Sequence, residues 1–444
     1  MINKRRPPQR GPVALVRLQE DAYDSLARAL ELCRGLEDLE PGHSVLIKPN
    51  YVGLPRRPYV PPFGVVTTTL VLEALIRLLQ DHGCRHILVG DGGLVMPDVE
   101  TGTEITMALL GVPTLARRYG IEPVDLNQGP FVELESEGLK LKVSQTALEA
   151  DFLVSLPVLK THSQCRVSLA LKNLKGCLHL RSKQVCHDAG LHLDANVARL
   201  ARLLYPDLAV IDGRYALAQG PFATGRARRA DLLLAARDAL DADLVGAELL
   251  GHPPQEVLHL AETARLLGRG LELPPVVGDL DLAEARMDLP HDFAWADPYT
   301  PEVYAKAGVR GFLLPKYDAS LCTGCSYLYN PALVMVLVAG QQAGGLGGVE
   351  LLTGKRTAPS GRARTSILMG NCIIKQFRKD PRLGQRKVLI PGCPPKLSQV
   401  EKGLAEAGVP VKLDYYYGFL ERLGRRYRPE DGFLPADFQP QEEA

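Results

Sequence analysis

Short apolar runs that stop at a polar or glycine-bearing loop constrain this chain more than any other feature. Ser44–Ile47 leads into Lys48-Pro49-Asn50, and His86–Val89 into Gly90-Asp91-Gly92-Gly93. Phe152–Leu156 leads to Pro157 and Lys160, and Leu208–Ile211 to Asp212-Gly213. Val13–Val16 is a further β-rich run, and helical patterns cover Ala22–Cys33, Leu70–His82 and Ala195–Leu204. Strands apolar along their whole length are buried on both faces, and helices are what covers them. The pattern predicts an α/β fold with a parallel sheet over residues 11–285. Residues 286–307, rich in prolines and aromatics, read as a linker. A smaller α/β block over 308–415 repeats the logic, with strands at Gly311–Leu314, Ser366–Met369 and Lys387–Ile390. Its helices are expected to start at Asn330-Pro331, cap then proline, and at Ser398. GGLGGVELLTGK, residues 344–355, lacks P-loop spacing and reads as a flexible loop. Residues 1–10 read as a disordered basic arm. Residues 416–444 read as a tail, poorly ordered or docked on the body.

Charge and length exclude several classes. The 52 Lys+Arg and 51 Asp+Glu balance to +1, which argues against a general nucleic-acid binder. The longest apolar run, Ala332–Ala339, falls short of the ~18 residues that suggest a membrane span. No cleavable leader follows the basic start, so a cytoplasmic protein is expected.

The nine cysteines are too sparse for a disulfide scaffold. Four stand in the second block: Cys322 and Cys325 in LCTGCS, Cys372 in MGNC and Cys393 in PGCPP. Each group follows a predicted strand, and such loops gather at the carboxyl edge of an α/β sheet. Four converging thiolates suit a [4Fe–4S] cluster or a tetrahedral zinc. One C-x2-C pair with two distant single cysteines favours the cluster over zinc, free thiols or a redox disulfide. Cys372 and Cys393 are expected at helix starts, where free N–H groups favour an anionic cluster. Cys33 and Cys84 read as buried structural thiols. Cys177, His179, Cys186, His187 and His192 fit no standard metal spacing.

Cys322-Thr323-Gly324-Cys325, Gly370-Asn371-Cys372 and Ile390-Pro391-Gly392-Cys393-Pro394-Pro395 resemble the small subunit of nickel–iron hydrogenases around its proximal cluster. They also resemble the related quinone-reductase subunit of respiratory complex I. The resemblance covers about a fifth of the chain. It implies a flavodoxin-like domain with one [4Fe–4S] cluster on Cys322, Cys325, Cys372 and Cys393. The gap between the second and third cysteines is shorter than in hydrogenases, and Ser326 replaces an acidic residue. With no second C-x2-C pair, a hydrogenase nickel site cannot be built within the chain. The resemblance therefore carries the cluster and not the hydrogenase reaction.

From Phe152 to His187 there is no Asp or Glu, while Lys160, Arg166, Lys172, Lys175, Arg181 and Lys183 all fall there. Lys48, Asn50, Asp91, Lys160, His162 and Asp212 follow predicted strands, where ligands of open α/β sheets bind. With Lys172 and Asn173 they are expected to form a pocket for a carboxylate or phosphate. Lys48-Pro49-Asn50, Pro157…Lys160-x-His162, Lys172-Asn173-x-x-Gly176, Asp212-Gly213 and Asp238-x-x-Asp241-x-Asp243 with Gly251 resemble the family named domain of unknown function 362. The match runs over about residues 13–270. The family name carries no reaction, but the family often accompanies iron–sulfur modules.

The expected function is an iron–sulfur oxidoreductase that passes electrons from a ferredoxin-like donor to a small anionic substrate. His162 is the expected proton donor, with Lys160 and Asp212 as catalytic partners. Lys48, Asn50, Asp91, Lys172 and Asn173 would bind the substrate. A binding or assembly protein with a structural cluster, or a Lys/His-dependent isomerase, are the alternatives. Neither nucleic acid nor a membrane span is expected, and a homodimer is allowed.

Overall fold

The computed structural model describes residues 7–57, 59–188 and 192–441. Its larger sheet has ten strands. In spatial order the main path is Val276–Gly278, Val13–Arg17, Arg226–Ala236, Leu208–Ala218, Phe152–Leu156, Ser44–Pro49, His86–Asp91 and Glu122–Asp125. The half from Leu208–Ala218 to Glu122–Asp125 is parallel throughout. Helices Ala22–Leu32 and Thr69–Asp81 cover one face, and the buried runs of the four central strands are apolar as expected.

The other half of this mainly parallel sheet carries an antiparallel strand. Arg226–Ala236 lies antiparallel between Val13–Arg17 and Leu208–Ala218. Asp212-Gly213 is not a strand end, because the strand runs on to Ala218 through a register shift between Gly213 and Tyr215. A Cβ on Gly213 would stand 2.4 Å from Leu232 Cδ1, so glycine here admits the neighbouring strand. Gly in a strand interior marks such an irregularity as often as a terminus.

The second sheet has four parallel strands in the order Phe312–Leu313, Val349–Thr353, Thr365–Met369 and Arg386–Ile390. The glycine-rich run is therefore a loop only as far as Gly348, and Val349–Thr353 is an inner strand. The first helix of this block is Thr323–Ala343, capped at Cys322, with Pro331 inside it. Asn330-Pro331 does not start a helix. Burial of the helix outweighs the proline, and Asn330 Nδ2 donates to the Ser326 carbonyl at 3.0 Å. This helix is long and apolar enough to cross a membrane, and 67% of its most apolar window is buried inside the protein. The last helix of the sheet is Leu397–Glu406, so Cys393 and both following prolines precede it. Cys393 is thus not at a helix start, whereas Cys372 is the second residue of Asn371–Phe377.

Residues 286–307 hold a hairpin, Trp295–Asp297 with Thr300–Pro301, and the short helix Glu302–Lys306. The C-terminal segment starts with helix Leu413–Gly424 and then docks on the larger sheet. Asp437 accepts from Arg214 Nε at 2.9 Å and from the Tyr215 hydroxyl at 2.5 Å, and Phe433 and Phe438 pack on Phe63. Of the expected arm, residues 1–6 lie outside the described residues, and Arg10 is tied to Asp241.

Candidate functional site: a lysine pocket beside four cysteines

The carboxyl ends of the central strands deliver the polar side chains to one cavity of about 170 Å³. Lys48 ends one strand and Asp91 the next, and their side chains form an ion pair of 2.7 Å at 1% and 3% residue exposure. Lys48 Nζ also donates to Asn173 Oδ1 at 2.7 Å. Asn173 Nδ2 returns to the Lys48 carbonyl at 2.8 Å, which locks the two segments together. Lys160 Nζ donates to Asn50 Oδ1 at 2.6 Å and to the Val65 carbonyl at 2.7 Å. Gly176 closes this floor: a Cβ there would lie 2.0 Å from Asp91 Oδ1 and 2.7 Å from Lys48 Nζ. Glycine is required because backbone passes directly over the ion pair.

Seven of the eight predicted pocket residues meet in this wall: Lys48, Asn50, Asp91, Lys160, His162, Lys172 and Asn173. Asp212 does not. Its carboxylate accepts from the Thr68 N–H and hydroxyl at 2.7 and 2.8 Å and from the Arg214 N–H. Burial raises its pKa, and its role is to fix the start of helix Thr69–Asp81. Position after a strand and a family-like Asp-Gly pair pointed to Asp212, and the strand continues past it.

Lys175 and Lys183 also line the cavity. Lys183 Nζ donates to the Gly92 carbonyl and to Asn127 Oδ1, both at 2.7 Å. Lys175 Nζ lies 2.5 Å from His187 Nε2. Both lysines belong to the acid-free stretch, but nothing in their spacing singled them out. The Lys172 side chain has no hydrogen-bond or ion-pair partner among the described residues, and it lines the cavity. Its segment is held by Asp243, which accepts from the N–H groups of Ala170 and Leu171 at 2.7 and 2.9 Å. That gives one member of the aspartate motif a place in the pocket's support.

Burial disfavours the charged form of a lysine, and crowded lysines add to the effect. Burial pushes Lys172 and Lys183 down to about 8. Lys160 is held well below the lysine range by burial, then by Lys172 and Lys48. His162 is also pushed well below its usual value, by burial first and then by Lys172, Lys175 and Lys160. The ring of His162 is thus biased toward its neutral form. Its Nδ1 accepts from the Gln164 N–H at 3.1 Å, which leaves Nε2–H as the donor.

The second block contributes Cys322, Thr323, Gly324 and Pro394 to the same cavity wall. Three cysteine loops interlock there. A Cβ on Gly324 would lie 2.9 Å from Pro394, and one on Gly370 3.3 Å from Cys325 Sγ. The Asn371 N–H donates to the Gly392 carbonyl at 2.9 Å, and the Gly392 N–H returns to Asn371 Oδ1 at 2.8 Å. Cys322 is held below the usual thiol range, chiefly by a hydrogen bond from Cys325, with Lys175 and Lys355 adding to it. Cys325 is correspondingly raised, with Cys322, Cys372 and Cys393 all adding to the effect. Cys322 and Cys325 face inward, whereas Cys372 and Cys393 are exposed.

A separate group could hold a metal. Cys165, Asp194 and His259 are buried, and their ligand atoms lie within 4.8 Å of one another. Asp194 accepts from His259 Nδ1 at 3.2 Å. The residues are 29 and 65 positions apart in sequence, so no spacing pattern announced them. The set Cys177, His179, Cys186, His187 and His192 forms no such group among the described residues.

The chain is 29% identical over 253 residues to the Thylakoid-associated protein sll1697 of Synechocystis sp., covering 54% of this chain and 74% of that protein. The lactate racemase apoprotein from Thermoanaerobacterium thermosaccharolyticum superposes with a TM-score of 0.38 at 13% identity, over 93% of this chain and 90% of that one. Residues 45–248, which carry the lysine pocket's polar floor, match the model of the family described as Domain of unknown function (DUF362).

Proposed function

We propose that this chain is an oxidoreductase acting on a small organic anion, with a [4Fe–4S] cluster on Cys322, Cys325, Cys372 and Cys393. The observation that carries the reading is that Cys322 and the lysines stand in one cavity wall. The donor set fits the group. Cys325 is raised by Cys322, Cys372 and Cys393 together, so the four sulfurs gather around one place. A cubane takes one thiolate on each of its four irons. Gly370 leaves the space beside Cys325 Sγ free of side chain. When bound, such a cluster supplies single electrons.

The chain's own residues do the rest. The unpaired Lys172 ammonium takes the anionic group, and Lys160 and the neutral His162 Nε2–H orient it. Lys172, with its pKa near 8, can also release a proton to a reduced substrate near neutral pH. The cavity is smaller than the roughly 300–1,000 Å³ of sites for drug-sized ligands, which restricts the substrate to a small molecule.

Anaerobic purification tests the reading. It requires about four irons per chain with broad absorption near ~400 nm, bleached by dithionite and restored by a small carboxylate or phosphate ester. A colourless protein with one zinc would sink it. An iron-loaded protein that no such anion reoxidises would leave a structural cluster and a binding protein.

The lysines add a pH dependence. Taking sulfate as probe, because its charge is constant over the range, affinity should fall as pH passes through about 8. The loss between pH 7 and 9 should be roughly tenfold for each lysine that must be charged. The sign for stability is opposite. A lysine depressed in the fold binds fewer protons than in the unfolded chain between about 8 and its ordinary value, so stability rises with pH there. Isothermal titration across pH, repeated on Lys172→Met, checks the assignment. The variant should bind weakly and lose much of the slope.

A further inference from the structure

The near-zero net charge hides a strong asymmetry. Residues 351–400 contain eleven Lys and Arg and one acidic residue, Asp380. The other 394 residues carry 41 Lys+Arg against 50 Asp+Glu. All of the eleven except Lys355 are exposed, and Asp380 is engaged by Arg382.

Part of this charge surrounds the two outward cysteines. On helix Asn371–Phe377 and its continuation, Cys372, Lys375 and Lys379 recur at spacings of three and four, which places them on one side. On the edge strand Arg386–Ile390 and the loop beyond it, Lys387, Leu389, Pro391 and Cys393 alternate outward, while Val388 and Ile390 are buried. Lys387 Nζ reaches the Arg378 carbonyl at 3.4 Å, so strand and helix form one continuous face. Leu389, 48% exposed, lies among these lysines as an apolar contact point.

We propose that this face is the docking surface for an acidic one-electron carrier protein. The inference rests on the cluster reading above, and it adds the partner's charge and the place of entry. The four cysteines are divided by exposure. Cys322 faces the lysine pocket, and Cys372 and Cys393 face solvent inside a positive field. A reductant arriving at the exposed pair and a substrate held at the buried end do not compete for space. Each encounter oxidises the carrier by one electron. Two encounters and two protons, one from Lys172 and one from solvent, balance a two-electron reduction of the pocket anion. Electrostatic complementarity of this kind raises the encounter rate and sets orientation, with a steep salt dependence.

The test uses the full holoprotein and an acidic [2Fe–2S] ferredoxin as probe, with binding read by isothermal titration or surface plasmon resonance. Two charge reversals of equal size are compared: Lys375→Glu/Lys387→Glu on this face, and Arg85→Glu/Lys140→Glu, exposed on the larger domain. The first should weaken the probe at least tenfold at low salt, and the second by less than about twofold. Iron content and visible absorption should be unchanged in both. Equal effects from the two variants overturn the proposal. So does tighter binding of a 20-base-pair DNA duplex or of phosphatidylglycerol vesicles that displace the ferredoxin. A protein without iron that still binds ferredoxin through Lys375 and Lys387 supports the surface and removes the cluster reading, which keeps the two failures apart.

Discussion

Cys393→Ser should yield a chain that folds but is purified almost without iron. Iron should fall from about four per chain to well below one, and the absorption near ~400 nm should go with it. The position isolates ligation from packing. Cys393 is exposed, and its one side-chain polar contact among the described residues is a long one, from Gln184 Nε2 at 3.6 Å. The loop is held independently by the reciprocal Asn371–Gly392 bonds. Serine therefore removes a thiolate and little else. Cys84→Ser is the matched control, because that thiol is buried at the end of helix Thr69–Asp81 and away from the cavity. It should keep its iron while losing some stability. Full iron in Cys393→Ser would show that the ligand set is wrong. Loss of iron in both variants would point to general damage instead.

The sequence made the parallel half of the fold legible, because an apolar run ending at a loop has few alternatives in an α/β chain. It misled at Asp212-Gly213, where glycine admits a neighbouring strand rather than ending its own. It misled again at Asn330-Pro331, a good helix start by local rule that burial of Thr323–Ala343 overrides. The pocket was readable where its residues sit directly after strands, as with Lys48, Asn50, Asp91 and Lys160. Lys175 and Lys183 were not, since their helical segments are brought to the cavity by tertiary packing. The charge state of His162 was not readable either. It depends on burial and on lysines gathered from several segments. The Cys165–Asp194–His259 group and the basic face around Cys372 and Cys393 share that property. Each exists only after distant segments meet.

Lys48→Met should be the most damaging change in the pocket. The side chain is almost wholly enclosed and serves Asp91, Asn173 and the Pro49 carbonyl at once. Methionine fills the space as far as the ε carbon and leaves the Asp91 carboxylate buried with the Tyr51 and Gly92 N–H groups as its remaining donors among the described residues. Removing one partner of a buried pair typically costs ~3–5 kcal/mol, because the remaining charge has no counter-ion. Urea denaturation should show the midpoint falling without a change in slope, since the surface exposed on unfolding is the same. The second variant separates charge from shape. Lys48→Met/Asp91→Asn removes both charges and keeps an acceptor oxygen for the Tyr51 N–H. It should recover a large part of the lost stability, because neutral groups carry a smaller desolvation cost. Sulfate binding should not recover with it, if Lys48 contributes field as well as structure. Asp212→Asn gives the contrast from outside the cavity. It weakens the cap on Thr68 and so lowers stability, yet sulfate affinity at pH 7 should stay within about twofold of the parent. An Asp212 variant that loses the anion, beside a Lys48 variant that keeps it, would reverse the assignment of floor and support.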